Sequence, residues 1–362
     1  VTVRSRTVQF GPRTRNLFLH VLTACNLHCR HCYVNPKEHG TGMLDKDTIS
    51  RWLALFAGDV PAAGAAGCPK KQDRPGAAGE TNVIFLGGEP TLNPDLPAGV
   101  REARRLGYGS VTVDTNGFLF HNILERVRPG EVDYFSFSLD GSRPEVNDPI
   151  RGSGVFDVCS GGIRKALGLG FGVSVIFTAS RMNLHDLENM PPLLNRLGVK
   201  RFFVQVIGIR GKSAREGGDS LQLRCDEWRA LVPGVARRAA ESGIHVTYPK
   251  VFLDSDEEFQ CAGRVADNFF VFPNGRVYRC PLCEDYPLHS LEIVEGRLRV
   301  RPPVKEADLF GLEIAEGCVL NKILHPGNIE YDAEGRPLKR IACCMLKEEV
   351  LPGSGAHPPP DR

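Results

Sequence analysis

Residues 25–33 read Cys-Asn-Leu-His-Cys-Arg-His-Cys-Tyr. The C-x3-C-x2-C spacing constrains this chain more than anything else in it, because it puts three thiolates on one short wrapping segment. A structural zinc or an ordinary ferredoxin cubane takes four protein ligands. An iron–sulfur cubane held by three cysteines keeps one iron open to a small molecule. The competing reading is a zinc site completed by His28 or His31.

The rest of the chain sets the context. Twelve cysteines in 362 residues, with no apolar h-region in the opening Val-Thr-Val-Arg-Ser-Arg, point to metal or redox sites rather than a disulfide scaffold. A cytoplasmic location is therefore expected. A hydrophobic fraction of 42% and a charged fraction of 24% are those of a globular protein able to bury a large core. The net charge of +2, without a long basic patch, argues against a nucleic-acid partner. No run reaches the roughly 18 apolar residues of a membrane helix, so no membrane partner is expected.

Apolar runs and helical patterns alternate over the first two thirds. Strands are expected at 16–24, 82–86, 110–114, 133–139, 171–178 and 201–207. Helices are expected at 44–57, 96–106, 118–127, 156–168, 184–197 and 226–241. Six βα units imply a parallel sheet with helices outside and function at the C-terminal strand ends. The Gly/Pro-rich stretch 58–81 reads as a flexible insertion with an incidental Cys68, and 351–362 as a disordered tail. Past about 245 the style changes. One β-hairpin turns at Asn274-Gly275 and a second at Glu295-Gly296, among Cys261, Cys280, Cys283, Cys318, Cys343 and Cys344. Cys159 and Cys225 read as structural.

Four of the expected strand ends carry a polar signature. The second ends in Gly87-Gly88-Glu89-Pro90, where two glycines let a ligand approach the backbone and Glu89 can accept from an ammonium. The third ends in Thr115-Asn116-Gly117. The fourth ends in Ser138-Leu-Asp140-Gly141, with Arg151 following. Ser138 offers a hydroxyl and Arg151 a cationic fork for a carboxylate; Asp140 either joins them or caps its loop. The sixth ends in Val206-Ile-Gly208-Ile-Arg210-Gly211. Arg210, Lys212 and Arg215 there are either a solvated basic loop or a contact for acidic substrate groups.

In this order the motifs resemble the radical S-adenosylmethionine (SAM) superfamily. The resemblance implies a partial (β/α)6 TIM-like barrel over 1–245 and a [4Fe–4S] cluster on Cys25, Cys29 and Cys32. The open iron of that cluster takes the amino and carboxylate groups of SAM, and one electron passed to the sulfonium yields a 5′-deoxyadenosyl radical. It also implies that Tyr33, Gly87, Gly88, Glu89, Asn116, Ser138, Arg151 and the backbone around Val206 contact SAM. Gly87–Glu89 take its amino group, Ser138 and Arg151 its methionyl and ribosyl groups, and the Val206 segment its adenine.

Cys261, thirteen residues, Gly275, four residues and Cys280 resemble the first half of the SPASM/twitch pattern of that superfamily; the second half, C-x2-C-x5-C-x3-C, is absent. The resemblance implies a small cysteine-rich α+β module over 246–350 with at least one auxiliary iron–sulfur cluster. Its ligands would be Cys261 and Cys280, with others drawn from Cys283, Cys318 and Cys343 or Cys344. Two adjacent cysteines seldom bind one cluster, so Cys343 or Cys344 is expected, not both. The expected enzyme takes electrons from a flavodoxin or ferredoxin-type donor and abstracts hydrogen from a peptide or protein side chain. A small molecule or tetrapyrrole is the alternative substrate, and a non-catalytic iron–sulfur or zinc protein the reading from another class.

Overall fold

The computed structural model describes residues 3–8, 10, 14–60, 81–215, 221–254, 256–301 and 304–353. Most of the expected insertion, with Cys68, and most of the expected tail lie outside the described residues. The strands in chain order are β1 Arg4–Val8, β2 Arg15–His20, β3 Thr81–Leu86, β4 Ser110–Thr115, β5 Tyr134–Ser138, β6 Val173–Ala179, β7 Arg201–Val206 and β8 His245–Pro249. They continue with β9 Phe252–Leu253, β10 Asp267–Val271, β11 Arg276–Tyr278, β12 Leu291–Val294, β13 Arg297–Val300, β14 Arg340–Ile341 and β15 Lys347–Leu351.

Strands β2 to β8 pair in parallel, in sequence order, as the staves of an open barrel. Successive side chains alternate between its faces. On β3, Val83 and Phe85 are fully buried in the core that also holds Ile49, Trp52, Leu53 and Phe56 of the helix Lys46–Ala57. Those four recur at helical spacing and form one apolar stripe. Each such side chain contributes roughly 1.5–3 kcal/mol relative to exposure. Asp45 starts the helix by accepting from the Thr48 N–H at 2.7 Å. The opposite face of the strands, with Leu86, Asp114, Ser138, Thr178 and Gln205, opens into a cavity at the C-terminal ends.

All six expected barrel strands are present. The sheet is wider than the six-unit reading because β8 adds a seventh parallel stave. The C-terminal third, expected as a separate module, is hydrogen-bonded to both edges of the barrel. β10 pairs in parallel with β2, stacking Phe270 on Phe18 at 4.4 Å, and β15 pairs antiparallel with β8. An open edge strand presents unpaired backbone groups, and here the chain's own later strands cover them. Both expected hairpins form, as β10–β11 and β12–β13, with positive φ at Gly275, Glu295 and Gly296.

Two helices depart from the expected bounds. The 118–127 segment is α-helical only at Ile123–Arg126, after a 3-10 turn at Phe120–Asn122 and with left-handed Leu119, His121 and Asn122. The 184–197 segment begins as a 3-10 turn and becomes α-helical at Met190–Leu197, where Pro191 and Pro192 suit a first turn. A helix not foreseen, Pro144–Arg151, places Arg151 at its end. Among the described residues no helix is long and apolar enough to cross a membrane.

Candidate active site at the barrel mouth

Chain packing sets the cysteine loop directly over the strand ends. Gly88 and Glu89 donate their backbone N–H groups to the carbonyls of Leu22 and Ala24 at 3.2 and 3.0 Å. A Cβ on Gly88 would stand 2.2 Å from the Ala24 oxygen. The glycine pair therefore admits the chain's own backbone, and both glycines also line the cavity. Beyond β2 the loop is laced to other elements. The Arg30 N–H donates to the Ile150 carbonyl at 3.0 Å, and Lys212 N–H to the Cys32 carbonyl at 2.8 Å. Asn116 Nδ2 donates to Asn26 Oδ1 at 2.8 Å and approaches Cys25 Sγ at 3.8 Å.

Cys25, Cys29 and Cys32 all line the cavity, which encloses about 380 Å³. Burial pushes the Cys25 thiol up to about 11 and raises that of Cys29, partly offset by the Arg151 guanidinium. Forming thiolates there needs a bound cation to displace the protons. The donor set fits a three-cysteine iron–sulfur site. Among the described residues, no three His, Cys, Asp or Glu side chains stand close enough to hold a single metal ion.

Around the loop is a ring of charge. Asp140 is fully buried; its Oδ2 takes His31 Nε2 at 2.5 Å and Arg151 Nε at 2.7 Å, and its Oδ1 accepts from the Thr178 N–H at 2.7 Å. Burial alone would raise this carboxyl, but Arg151 and His31 outweigh it and hold it at about 2. Glu89, 1% exposed, accepts from Thr91 N–H, Thr91 Oγ1 and Thr115 Oγ1 through one oxygen and from Asn116 N–H at 2.7 Å through the other. A carboxylate has about four lone-pair sites, so the second oxygen keeps one unused, and Glu89 is among the residues that line the cavity. Ser138, Arg151, Val206 and Tyr33 also line it, as do Gly87 and Gly88.

The loop after β7 turns inward. Arg210 pairs with Glu284, donates to the Pro281 carbonyl and lies 4.7 Å over the Tyr33 ring. That answers the choice between a solvated loop and a substrate contact: this guanidinium is committed inside the protein. Gly211 has φ +60°, and a Cβ there would meet the Cys32 carbonyl at 2.5 Å. The Tyr33 hydroxyl lies 2.8 Å from His20 Nε2, while His20 Nδ1 lies 3.0 Å from the Val271 carbonyl. A carbonyl only accepts, so Nδ1 carries the proton and Tyr33 donates to Nε2. Lys212 stays half-buried.

The C-terminal cysteines lie within reach of one another, and Cys344 among them lines the cavity. Cys261 is within electrostatic reach of Cys343 and Cys318; Cys280 is beside Cys283 and reaches Cys343; Cys318 reaches Cys280. Burial pushes Cys261 and Cys318 up to about 12. Cys343 packs against Ala262 and Ala266, whereas its neighbour Cys344 lines the cavity. Glu306, fully buried, accepts from the Arg279 and Cys280 N–H groups behind this cluster. Cys159 is buried under β5, its thiol pushed up to about 12 by burial, as a structural cysteine would be. Sequence reasoning missed His20, Asp114, Gln205, His325 and Lys347 as cavity residues and weighed His31 only as a zinc ligand. The alternation of strand residues could have found Asp114 and Gln205, which share the face of Ser138. His31, inside the cysteine run, could have been paired with Asp140.

A parallel barrel whose first stave runs into a three-thiol loop, with buried carboxylates and guanidinium at the same mouth, fits the radical SAM class that the motifs resemble. Residues 70–191 match the Radical SAM superfamily, a stretch that begins after the cysteine run and is independent of it. Residues 70–191 are thus a radical SAM domain, a kind that works with a [4Fe–4S] cluster and SAM, and enzymes are among the relatives of the chain.

Relatives span several chemistries. A "Probable GTP 3',8-cyclase" of Saccharolobus solfataricus is 24% identical over 299 residues, covering 80% of this chain and 89% of that protein. An "Fe-coproporphyrin III synthase" of Methanosarcina barkeri is 27% identical over 247 residues, covering 65% of this chain and 54% of that one. Among solved structures, Streptococcus suis SuiB bound to its precursor peptide SuiA superposes with a TM-score of 0.59 at 13% identity, over 87% of this chain and 65% of SuiB. The present chain thus spans less than two thirds of SuiB, and the likeness is one of fold.

Proposed function

We propose that this chain cleaves SAM reductively at Cys25, Cys29 and Cys32 and abstracts a hydrogen atom from a substrate held between that site and the C-terminal cysteines. The observation that carries this reading is a single cavity. Cys25, Cys29, Cys32, Glu89, Asn116 and Arg151 line it together with Cys344 and Lys347 of the C-terminal third. When bound, the cluster and SAM supply an electron and a primary carbon radical. The chain holds the cysteine loop by backbone hydrogen bonds and keeps Arg151 charged and aimed through Asp140. It also offers Glu89, Ser138 and the Val206 segment to the polar groups of SAM.

The second cysteine group is proposed to carry at least one auxiliary iron–sulfur cluster, on Cys261, Cys280, Cys283, Cys318 and Cys343. Five thiols exceed the four of a cubane, and Cys344 faces the substrate space instead. A flavodoxin or ferredoxin-type protein is the proposed electron donor, in the cytoplasm. A peptide or protein side chain is the proposed substrate, in keeping with the fold shared with SuiB. The small-molecule alternative draws on the relatives whose names specify GTP and coproporphyrin chemistry. Arg210 is not the group that would hold an acidic substrate, because Glu284 already occupies that guanidinium.

Iron and sulfide analysis of anaerobically reconstituted variants tests the assignment. Replacing Cys25, Cys29 and Cys32 together by Ala is expected to remove one cluster and keep iron in the C-terminal group. Cys280→Ala is expected to lose iron from that group and still cleave SAM. A triple variant with its full iron content would overturn the first assignment.

A further inference from the structure

Three cations line the cavity, and two are matched. Arg151 is paired with Asp140 and Arg210 with Glu284. Lys347, the first residue of β15, has neutral partners: its Nζ donates to the Cys344 carbonyl at 3.0 Å and lies 4.7 Å over the Phe203 ring. Among the described residues no carboxylate pairs with it. The acidic residues next to it are taken elsewhere, Glu348 by Lys250 and Thr7 and Glu349 by Arg6 and His245. A half-buried ammonium facing a cavity without a counter-ion is costly unless a ligand supplies the charge.

A second donor faces the same space. His325 is 3% exposed and lines the cavity. Gln222 Nε2 donates to the Leu324 carbonyl at 2.7 Å, which fixes that atom as the amide nitrogen, and it lies 2.6 Å from His325 Nδ1. Nδ1 therefore accepts, and the ring proton sits on Nε2. Burial keeps this imidazole neutral, holding it down at about 4. Gln205 on β7 adds an amide to the same lining. The groups expected to take the SAM amino acid lie on or after β3, β4 and β5, two to four strands from β7 and four to six from β15 in the sheet.

We propose that Lys347, His325 and Gln205 form a subsite for an acidic group of the substrate, a carboxylate or a phosphate. The inference rests on reading the cavity as the substrate chamber of a radical SAM enzyme. It narrows the substrate class: the molecule carries an oxyanion placed away from SAM, held by one ammonium and one imidazole N–H. Lys347 is also within electrostatic reach of Cys343 and Cys344, so the test must separate substrate binding from a charge that only balances a cluster.

The anaerobically reconstituted full chain with SAM bound is titrated calorimetrically with GTP and with coproporphyrin III. The uncharged counterparts are guanosine and coproporphyrin III tetramethyl ester. At least one acidic probe is expected to bind about tenfold or more tightly than its counterpart; which pair discriminates tells phosphate from carboxylate. Lys347→Met is expected to abolish the discrimination, His325→Phe to reduce it and Lys347→Arg to retain it, with SAM affinity unchanged throughout. Wild-type protein that does not distinguish either pair would overturn the proposal. So would a Lys347→Met variant that still discriminates while the midpoint potential of its cluster shifts. Formation of 5′-deoxyadenosine on reduction is followed in the same wild-type samples; its absence would count against the radical SAM reading and not against the anion subsite.

Discussion

At Asp140 three segments meet: the cysteine loop through His31, the end of the Pro144–Arg151 helix through Arg151, and β6 through the Thr178 N–H. Asp140→Asn would leave a buried guanidinium without its counter-charge, and a loss of about 3–5 kcal/mol is expected. The pH dependence follows from its sign. The folded carboxyl sits at about 2 against an ordinary 3.8, so its contribution is complete above pH 3.8 and is lost as the pH falls toward 2. It amounts to roughly 2 kcal/mol. Urea unfolding of wild type and Asp140→Asn should show a wide gap at pH 7 that narrows at pH 3.

Asp114 works in the opposite sense. Burial pushes its carboxyl up to about 7, with Ser136 beside it and Glu89 nearby. Its ionisation therefore opposes folding, increasingly so as the pH rises from 3.8 through 7. Asp114→Asn is expected to raise stability by about 1–3 kcal/mol at pH 8 and by less at pH 5. An equal gain at both values would show that its carboxyl titrates normally.

Among the elements, the loop after β7 ties the two cysteine groups together. Arg210 rests on the Tyr33 ring that follows Cys32 and pairs with Glu284, which follows Cys283. Gly211 N–H donates to Asp285 Oδ2 at 2.6 Å. Arg210→Met and Glu284→Gln are each expected to cost about 3–5 kcal/mol. The double variant should lose less than their sum, with a coupling above about 1 kcal/mol in urea unfolding.

The elements themselves were legible where the pattern is local. β3 and β6 alternate buried and half-buried residues along their length, and the turn at Asn274-Gly275 announces a hairpin. What the sequence does not carry is pairing between distant segments. Nothing in Asp267–Val271 says that it will cover the edge of β2, and nothing in Arg210 says that its partner is Glu284 rather than a substrate. The same holds for the site. Cys25, Cys29 and Cys32 are visible because they are contiguous, and Glu89 and Asn116 because they sit in short motifs. Lys347 and His325 reach the cavity only through β15 and the helix Val319–Leu324, so no spacing reveals them.

Across the whole molecule, the C-terminal third binds both edges of the barrel and delivers a second set of thiols to the mouth of the first. The fold thus makes one chamber lined by Cys25, Cys29 and Cys32 and, from the C-terminal third, by Cys344, with the other C-terminal cysteines outside its lining. The most direct measurement is the fate of SAM. Anaerobic wild-type protein reduced with dithionite is expected to convert SAM to methionine and 5′-deoxyadenosine, and the variant lacking Cys25, Cys29 and Cys32 to form neither. Reduced, iron-replete wild type that leaves SAM intact, or a triple variant that cleaves it as well as wild type, would contradict the account.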